Sequence, residues 1–484
     1  MKNKCMLVAA LLMLSGAMSA KIVLPSMFSD NMVLQQQTDA PVWGEAQPMK
    51  TVKVTTSWDG KTYETQANEA GKWKLSVRTP TAGGPYELTL TDGKKLVLRN
   101  VMIGEVWICS GQSNMEMPLE GWGKIKDYQK EIAGAEHPNI RLLQAERVSS
   151  TKPETNIKVR NDGWQVCSPT TIPEFSVTAY FFGREISEKL NVPVGLVHTS
   201  WGGTNVESWI SGKVLKEMPD FVQTVETIQK MSGDKEAQKS VDPYLPTLLY
   251  NAMIHPLIPY SIRGAIWYQG ENNASRAYQY RELFPLVIEN WRQDWGQDFP
   301  FYFVQLANFM QTVPQPMESD WAELREAQMG ALKVNNTGMA VIVDKGDASD
   351  IHPKDKQAVG HRLALIARAK TYGENIPYSG PIYHSHQIQG NKIVISFDHI
   401  EGGLKSGDGE ELKGFAIAGR DHKFYWAKAE IVGDKIVVSA PEVSYPVSVR
   451  YAWANNPVCN LYNGAGLPSS PFRTDDWKGS TQKD

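Results

Sequence analysis

Val106-Trp107-Ile108-Cys109-Ser110-Gly111-Gln112-Ser113-Asn114-Met115 is the stretch that decides the fold. Its first four residues are all apolar, as in a strand buried on both faces of a parallel sheet. The glycine after them lets the chain turn sharply, so a serine hydroxyl is presented at the end of that strand. Residues 194–199, 263–268, 301–306 and 339–343 repeat the apolar run. Between and after them, residues 181–190, 278–295, 321–333 and 354–372 carry apolar side chains at helical period. This alternation predicts an α/β fold over residues 101–375, a doubly wound, mainly parallel sheet with its site at the carboxyl edge of the strands.

The flanks read differently. Residues 21–100 are short alternating runs separated by turn signals such as Asp59-Gly60 and Asp92-Gly93, which predict a small antiparallel sandwich. The hairpin rhythm returns over residues 376–475, with turns at Gly390-Asn391 and Gly433-Asp434, and residues 476–484 are expected to be a disordered tail. Residues 212–243 are polar and are expected to run over the surface. At the other end, Lys2 and Lys4 precede a short apolar run and then small residues up to Ala20. That order predicts a signal peptide over residues 1–20, cut near Ala20, and hence a secreted or periplasmic protein. No later apolar run is long enough to span a bilayer, so no membrane insertion is expected after the leader is removed.

A net charge of −3 over 484 residues offers nucleic acid no electrostatic footprint. Removal of Cys5 with the leader leaves Cys109, Cys167 and Cys459, an odd number that cannot form a complete disulfide framework. No C-x-x-C or H-E-x-x-H spacing occurs, so neither a metal nor another cofactor is expected.

Four segments that follow strands of the α/β region carry groups suited to acyl transfer. Gly111-Gln112-Ser113-Asn114-Met115 offers a nucleophile, although it lacks the G-x-S-x-G elbow. Trp201-Gly202-Gly203-Thr204 leaves backbone N–H groups open to a ligand, as an oxyanion hole requires. Gln269-Gly270-Glu271-Asn272 offers a side-chain amide for the same purpose. Asp350-Ile351-His352-Pro353 offers a base with an acid close by. Taken singly, the first is more often a helix cap and the second a turn, and the third also suits a helix-capping loop. Of the nine histidines, only His352 both closely follows an acid and lies after a strand of this region; His198 and His255 are its rivals, and His361 falls within a helix.

Together the four blocks resemble those of the SGNH-type hydrolases, and within them the branch of sialate O-acetylesterases and related carbohydrate acetylesterases. Leu24-Pro25-Ser26-Met27-Phe28-Ser29-Asp30-Asn31-Met32-Val33-Leu34-Gln35 and Val101-Met102-Ile103-Gly104-Glu105-Val106-Trp107 resemble the same branch, so the likeness extends over nearly the whole mature chain. The resemblance implies a flavodoxin-like three-layer fold and a serine carboxylic-ester hydrolase that removes acetyl groups from carbohydrate hydroxyls. Ser113 would attack the acetyl carbonyl, with His352 as its base. The Ser113 amide, the amide of Gly202 or Gly203 and the Gln269 side chain would hold the oxyanion. The wider family places an asparagine where Gln269 stands, and spaces its acid and base as D-x-x-H rather than Asp350-Ile351-His352. Asp350, Asp347 or a backbone carbonyl is therefore left to orient the imidazole. Asn114 and Glu271 are expected to contact substrate. Acetylated xylan or another hemicellulose is the alternative substrate. A catalytically inert carbohydrate-binding protein is the alternative function.

Overall fold

The computed structural model describes residues 22–232 and 242–483, so the leader expected at residues 1–20 lies outside the described residues. Seven strands build the central sheet: β1 (Lys95–Gly111), β2 (His137–Gln144), β3 (Gln165–Cys167), β4 (Val194–Ser200), β5 (Gly264–Tyr268), β6 (Phe301–Gln305) and β7 (Thr337–Val341). Their order is β7-β6-β5-β1-β4-β2-β3, and every pair is parallel except β2–β3. The alternation read from the sequence is thus a doubly wound sheet. β2 and β3 are additional to it, because Arg141 breaks the apolar run of Ile140, Leu142 and Leu143. That arginine is buried, and its guanidinium donates to the carbonyls of Pro138, Asn31 and Asn100.

Four long helices cover the sheet: α2 (Val177–Leu190) packs with α5 (Lys356–Lys370), and α3 (Ala277–Trp295) with α4 (Asp320–Gly330), while α1 is the single turn Ser113–Glu116. The period-2 alternation of a strand divides the core between these layers. On β6, Phe303 meets Phe284 of α3 at 4.9 Å between ring centroids, whereas Tyr302 points to the opposite face beside Trp107 and bonds Thr371. Gly360 of α5 allows the α2–α5 contact, since a Cβ there would stand 2.4 Å from Cβ of Phe181.

β1 runs through the position where the sequence rhythm changes. Its first half pairs antiparallel with Gly83–Thr91, within an N-terminal β region that also contains the antiparallel pair Asp39–Glu45 and Lys72–Arg78. Its second half is the middle of the parallel sheet. The fully buried Glu105 marks the join. Its carboxylate accepts from Gln35 and Gln36 of the N-terminal region, from Arg263 ahead of β5, and from the Tyr372 hydroxyl just beyond α5. The C-terminal β region has a core of its own, around Ile395, Ile417, Val438 and Phe472. The fully buried Arg325 ties it to the central sheet by donating to the carbonyls of Leu306, Ala307, Ala454 and Asn455.

The last residues depart from the expectation of a disordered tail. Asp475 is buried between Arg450 and Arg473, and Ser480 and Thr481 bond Glu323 of α4, so the segment after Thr474 is held by charge-assisted hydrogen bonds. Helices Gly212–Leu215 and Val222–Met231 occupy the polar stretch after β4, and residues 233–241 lie outside the described residues. Among the described residues no helix is long and apolar enough to cross a membrane.

Glu105→Ala leaves the Arg263 guanidinium and the Tyr372 hydroxyl without their acceptor. We expect a stability loss of about 3 kcal/mol, at the low end for a broken buried pair because Arg263 is partly exposed. Urea unfolding of the two proteins measures it; equal midpoints would contradict the role assigned to Glu105.

Candidate functional site

The strand order places the site. After β1 the chain builds one side of the sheet and returns through β4 to lie beside β1, then crosses to β5 on the other side. The carboxyl ends of β4, β1 and β5 therefore lie next to one another at the switch point of the sheet, where ligands bind in doubly wound folds. Three of the four sequence blocks follow these three strands. At the end of β1 the backbones close up: Gly111 has φ +141°, and a Cβ on it would stand 2.1 Å from the Tyr268 carbonyl oxygen. Gln112 reaches across from there, its side-chain oxygen accepting the N–H groups of Gly270 and Asn272 at 3.3 and 3.4 Å.

The fourth block has farther to come. β7 is three strand spacings from β1, roughly 14 Å. The loop of residues 342–355 covers that distance and brings His352 Nε2 to 3.0 Å from Ser113 Oγ, although 239 positions separate them in the chain. Arg362 holds the start of the loop through Asp344 and the Val341 carbonyl, and Lys354 holds its end by donating to the Gly123 carbonyl at 3.0 Å.

Asp350 is the acid that meets the imidazole. Its Oδ1 lies 3.2 Å from His352 Nδ1 and accepts the His352 backbone N–H at 2.9 Å, while Lys354 Nζ lies 3.0 Å from its other oxygen. Asp347 instead accepts from the backbone and hydroxyl of Ser349. Burial opposes ionisation of Asp350, but the His352 N–H and the Lys354 ammonium outweigh it and hold the carboxyl below its usual range. Burial lowers the His352 pKa, and the positive charge of Lys356 adds to this, while Asp350 works in the opposite direction. The half-exposed Trp122 ring makes an edge contact with the His352 ring, at 5.0 Å between centroids.

The rival histidines are engaged elsewhere. His198 is buried in β4 against Ser200, with its pKa pushed down to about 3 by burial and by Arg160 and Arg147. His255 meets the Glu154 carbonyl, and His361 pairs with Glu185.

The oxyanion candidates separate on their hydrogen bonds. Gly202 lies against Ser113, since a Cβ on it would be 3.2 Å from Ser113 Cβ, but its N–H donates to Glu116 Oε2 at 2.7 Å. Glu116, which the sequence reading passed over, is also paired with Arg147. The N–H groups of Ser113 and Gly203 take no partner among the described residues. Gln269 corrects the expectation placed on it. It is fully buried, and its amide donates to the Thr204 carbonyl at 3.1 Å and to Asn273 Oδ1 at 2.8 Å, so both of its N–H groups are engaged away from Ser113. Tyr280 donates to its oxygen at 3.0 Å.

Asn114 and Glu271 also depart from expectation, because both are buried. Asn114 Nδ2 donates to Glu271 Oε1 at 2.6 Å and to the Ile351 carbonyl at 3.0 Å, and Asn114 Oδ1 accepts from Lys356 Nζ at 2.5 Å. They form a clamp behind the Ser113–His352 pair rather than a substrate surface. Lys356, like Glu116, is a residue the sequence reading missed. Its signal was a charged side chain in line with Val359, Gly360 and Leu363, on the stripe that α5 buries. Among the described residues no group of three or more His, Cys, Asp or Glu side chains is placed to hold a metal ion.

The profile of the family described as carbohydrate esterase, sialic acid-specific acetylesterase matches residues 103–367, which include all four blocks. The sialate O-acetylesterase of Mus musculus is 30% identical over 92% of this chain and 93% of its own length. That of Homo sapiens is 29% identical over 92% of this chain and 91% of its own. Among solved structures, a carbohydrate acetylesterase from Xanthomonas citri superposes with a TM-score of 0.85 at 39% identity, covering 94% of this chain and all of that one. The parallel sheet, the blocks at its carboxyl edge and these likenesses agree: the chain belongs to the carbohydrate esterase family of sialic acid-specific acetylesterases.

Proposed function

We propose that the protein hydrolyses acetyl esters of carbohydrate hydroxyls through a covalent acetyl-serine at Ser113, with residues 101–375 as the catalytic unit. The observation that carries this reading is the chain of contacts from Ser113 Oγ to His352 Nε2 and from His352 Nδ1 to Asp350. His352, neutral at pH 7 because its pKa is lowered, takes the proton from Ser113 as Oγ attacks the acetyl carbon. The N–H groups of Ser113 and Gly203 receive the oxyanion. His352 then protonates the sugar oxygen as it leaves, and a water activated by the same imidazole releases acetate. Asp350 keeps Nε2 directed at Ser113 and stabilises the imidazolium formed in each half-reaction.

Two exposed aromatic side chains flank this centre, which favours a pyranose as the leaving alcohol. Trp122 lies against His352, the group that hands the proton to that alcohol, and Tyr244 lies beside Gly203. The activities in the names of the similar proteins, sialate O-acetylesterase and carbohydrate acetylesterase, support the same class of substrate. The charge–apolar–small order of residues 1–20 supports export, so the mature protein would begin at Lys21 and act in the periplasm or outside the cell.

Four outcomes are expected. Ser113→Ala lowers acetate release from O-acetylated sugars by about 10⁴-fold or more, and the wild type favours acetyl over octanoyl 4-nitrophenyl esters. Octanoyl turnover equal to or better than acetyl would defeat the acetylesterase reading. A plot of kcat/KM against pH rises as His352 loses its proton and levels off, with an apparent pKa below the usual 6.5 of a histidine; a limb centred above 7 would contradict the assignment of the base. Mass spectrometry of the exported protein should show an N-terminus at or next to Lys21, and an intact Met1 would refute export by cleavage.

A further inference from the structure

We propose that Lys356 and Glu271 are positioning residues of the esterase: as a buried pair of opposite charges on the two ends of the Asn114 amide, they orient that amide and through it hold His352 on Ser113. The inference rests on the esterase reading and goes beyond it by assigning a role to groups that do not touch substrate.

The argument begins with what Asn114 can do. A side-chain amide has two donors and one acceptor end, and here all three are engaged. Its oxygen faces the Lys356 ammonium, one N–H faces Glu271 Oε1, and the other N–H faces the carbonyl of Ile351. Rotating the amide by 180° would put its oxygen against a carboxylate and its NH₂ against an ammonium, so the charges select a single orientation. That orientation sends the remaining N–H to Ile351, the residue before His352. The same asparagine follows Ser113 directly. One side chain therefore sets the distance between nucleophile and base.

The placement of the charges is costly, which argues that they act in catalysis rather than as packing. Lys356 is fully buried within α5, with its ammonium 5.1 Å from the centroid of the Tyr268 ring, and Glu271 Oε2 is buried with no hydrogen-bond partner among the described residues. Burial pushes the Lys356 pKa down to about 7, against the pull of Glu271, and raises that of Glu271. The ionisable groups around the pair are Tyr268 on β5, Tyr280 on α3, and His352, Asp350 and Lys354 on the loop after β7. Lys356 acts on His352 as a positive charge that disfavours the imidazolium.

Two near-isosteric changes separate this role from a packing role. Lys356→Met removes the positive charge and frees the amide, so the acid limb of kcat/KM should move up by about 0.5–1 pH unit, and kcat should fall about 10–100-fold with little change in KM. Glu271→Gln removes the carboxylate that selects the orientation of the Asn114 amide, so kcat should again fall about 10–100-fold with little change in KM. The substrate is 4-nitrophenyl acetate, and the His352 imidazole is titrated in parallel by NMR in the same proteins. An upward shift of limb and titration in Lys356→Met together with a lower kcat in both variants supports the proposal; a limb and titration of Lys356→Met that coincide with those of the wild type, or a wild-type kcat in Glu271→Gln, overturn it. The NMR titration reads the shift even from a protein that hydrolyses no ester, so failure of the esterase reading remains distinct from failure of this one. If a single variant does not fold, the uncharged double variant Lys356→Met/Glu271→Gln decides: kcat at least 10-fold below wild type at unchanged thermal stability supports the clamp, and wild-type kcat overturns it.

Discussion

The strand Lys95–Gly111 constrains everything else in this molecule. It is held on both sides by parallel neighbours, Val194–Ser200 and Gly264–Tyr268, and it ends two residues before Ser113. A strand buried in this way has no freedom to slip, because both faces are packed and a shift of one residue would exchange every side chain for one of a different size. Ser113 therefore takes its position from the register of the sheet rather than from a loop. The contact of Gly111 with the Tyr268 carbonyl shows how tightly the end of that strand is fitted, and no side chain larger than hydrogen could stand there.

His352 is placed by the opposite means. Its strand lies at the edge of the parallel sheet, and only a long loop can return the imidazole to the switch point. Such a loop is precise only where its polar groups are anchored, and anchors occur along its length: Asp344 to Arg362, Gly346 to Asn308, Asp355 to Lys345, and Ile351 to Asn114. The site thus joins one rigidly registered group to one that is tethered. The tether at Ile351 is the anchor nearest the chemistry and also the one backed by buried charge.

The oxyanion side follows the same economy of donors. Gly202 stands closest to Ser113, yet its N–H is committed to Glu116, which leaves the Ser113 and Gly203 amides for a ligand. Gln269, which the resemblance would enlist, serves to lock the loop after Val194–Ser200 to Asn273 and Tyr280. A buried amide with both N–H groups satisfied by protein has to break one of those bonds to reach an incoming oxyanion.

The alternation of apolar runs with helical-period segments was enough to specify the parallel sheet, because burial on both faces leaves a continuous apolar signature. Three of the loop blocks were legible for the same local reason, since their glycines and Ser113 stand next to the strand ends that present them, whereas His352 was singled out by the acid close before it. What could not be read were the strands His137–Gln144 and Gln165–Cys167, the direction taken by the Gln269, Asn114 and Glu271 side chains, and the part played by Lys356. Each depends on partners far away in the chain, such as the carbonyls of Asn31 and Asn100 around Arg141 or the amide of Asn114 below Lys356. Local sequence determines which residues can form an element and which chemistry stands at its end. Only the folded chain decides which hydrogen bonds those side chains complete, because the donors and acceptors that compete for them are brought together by the sheet order.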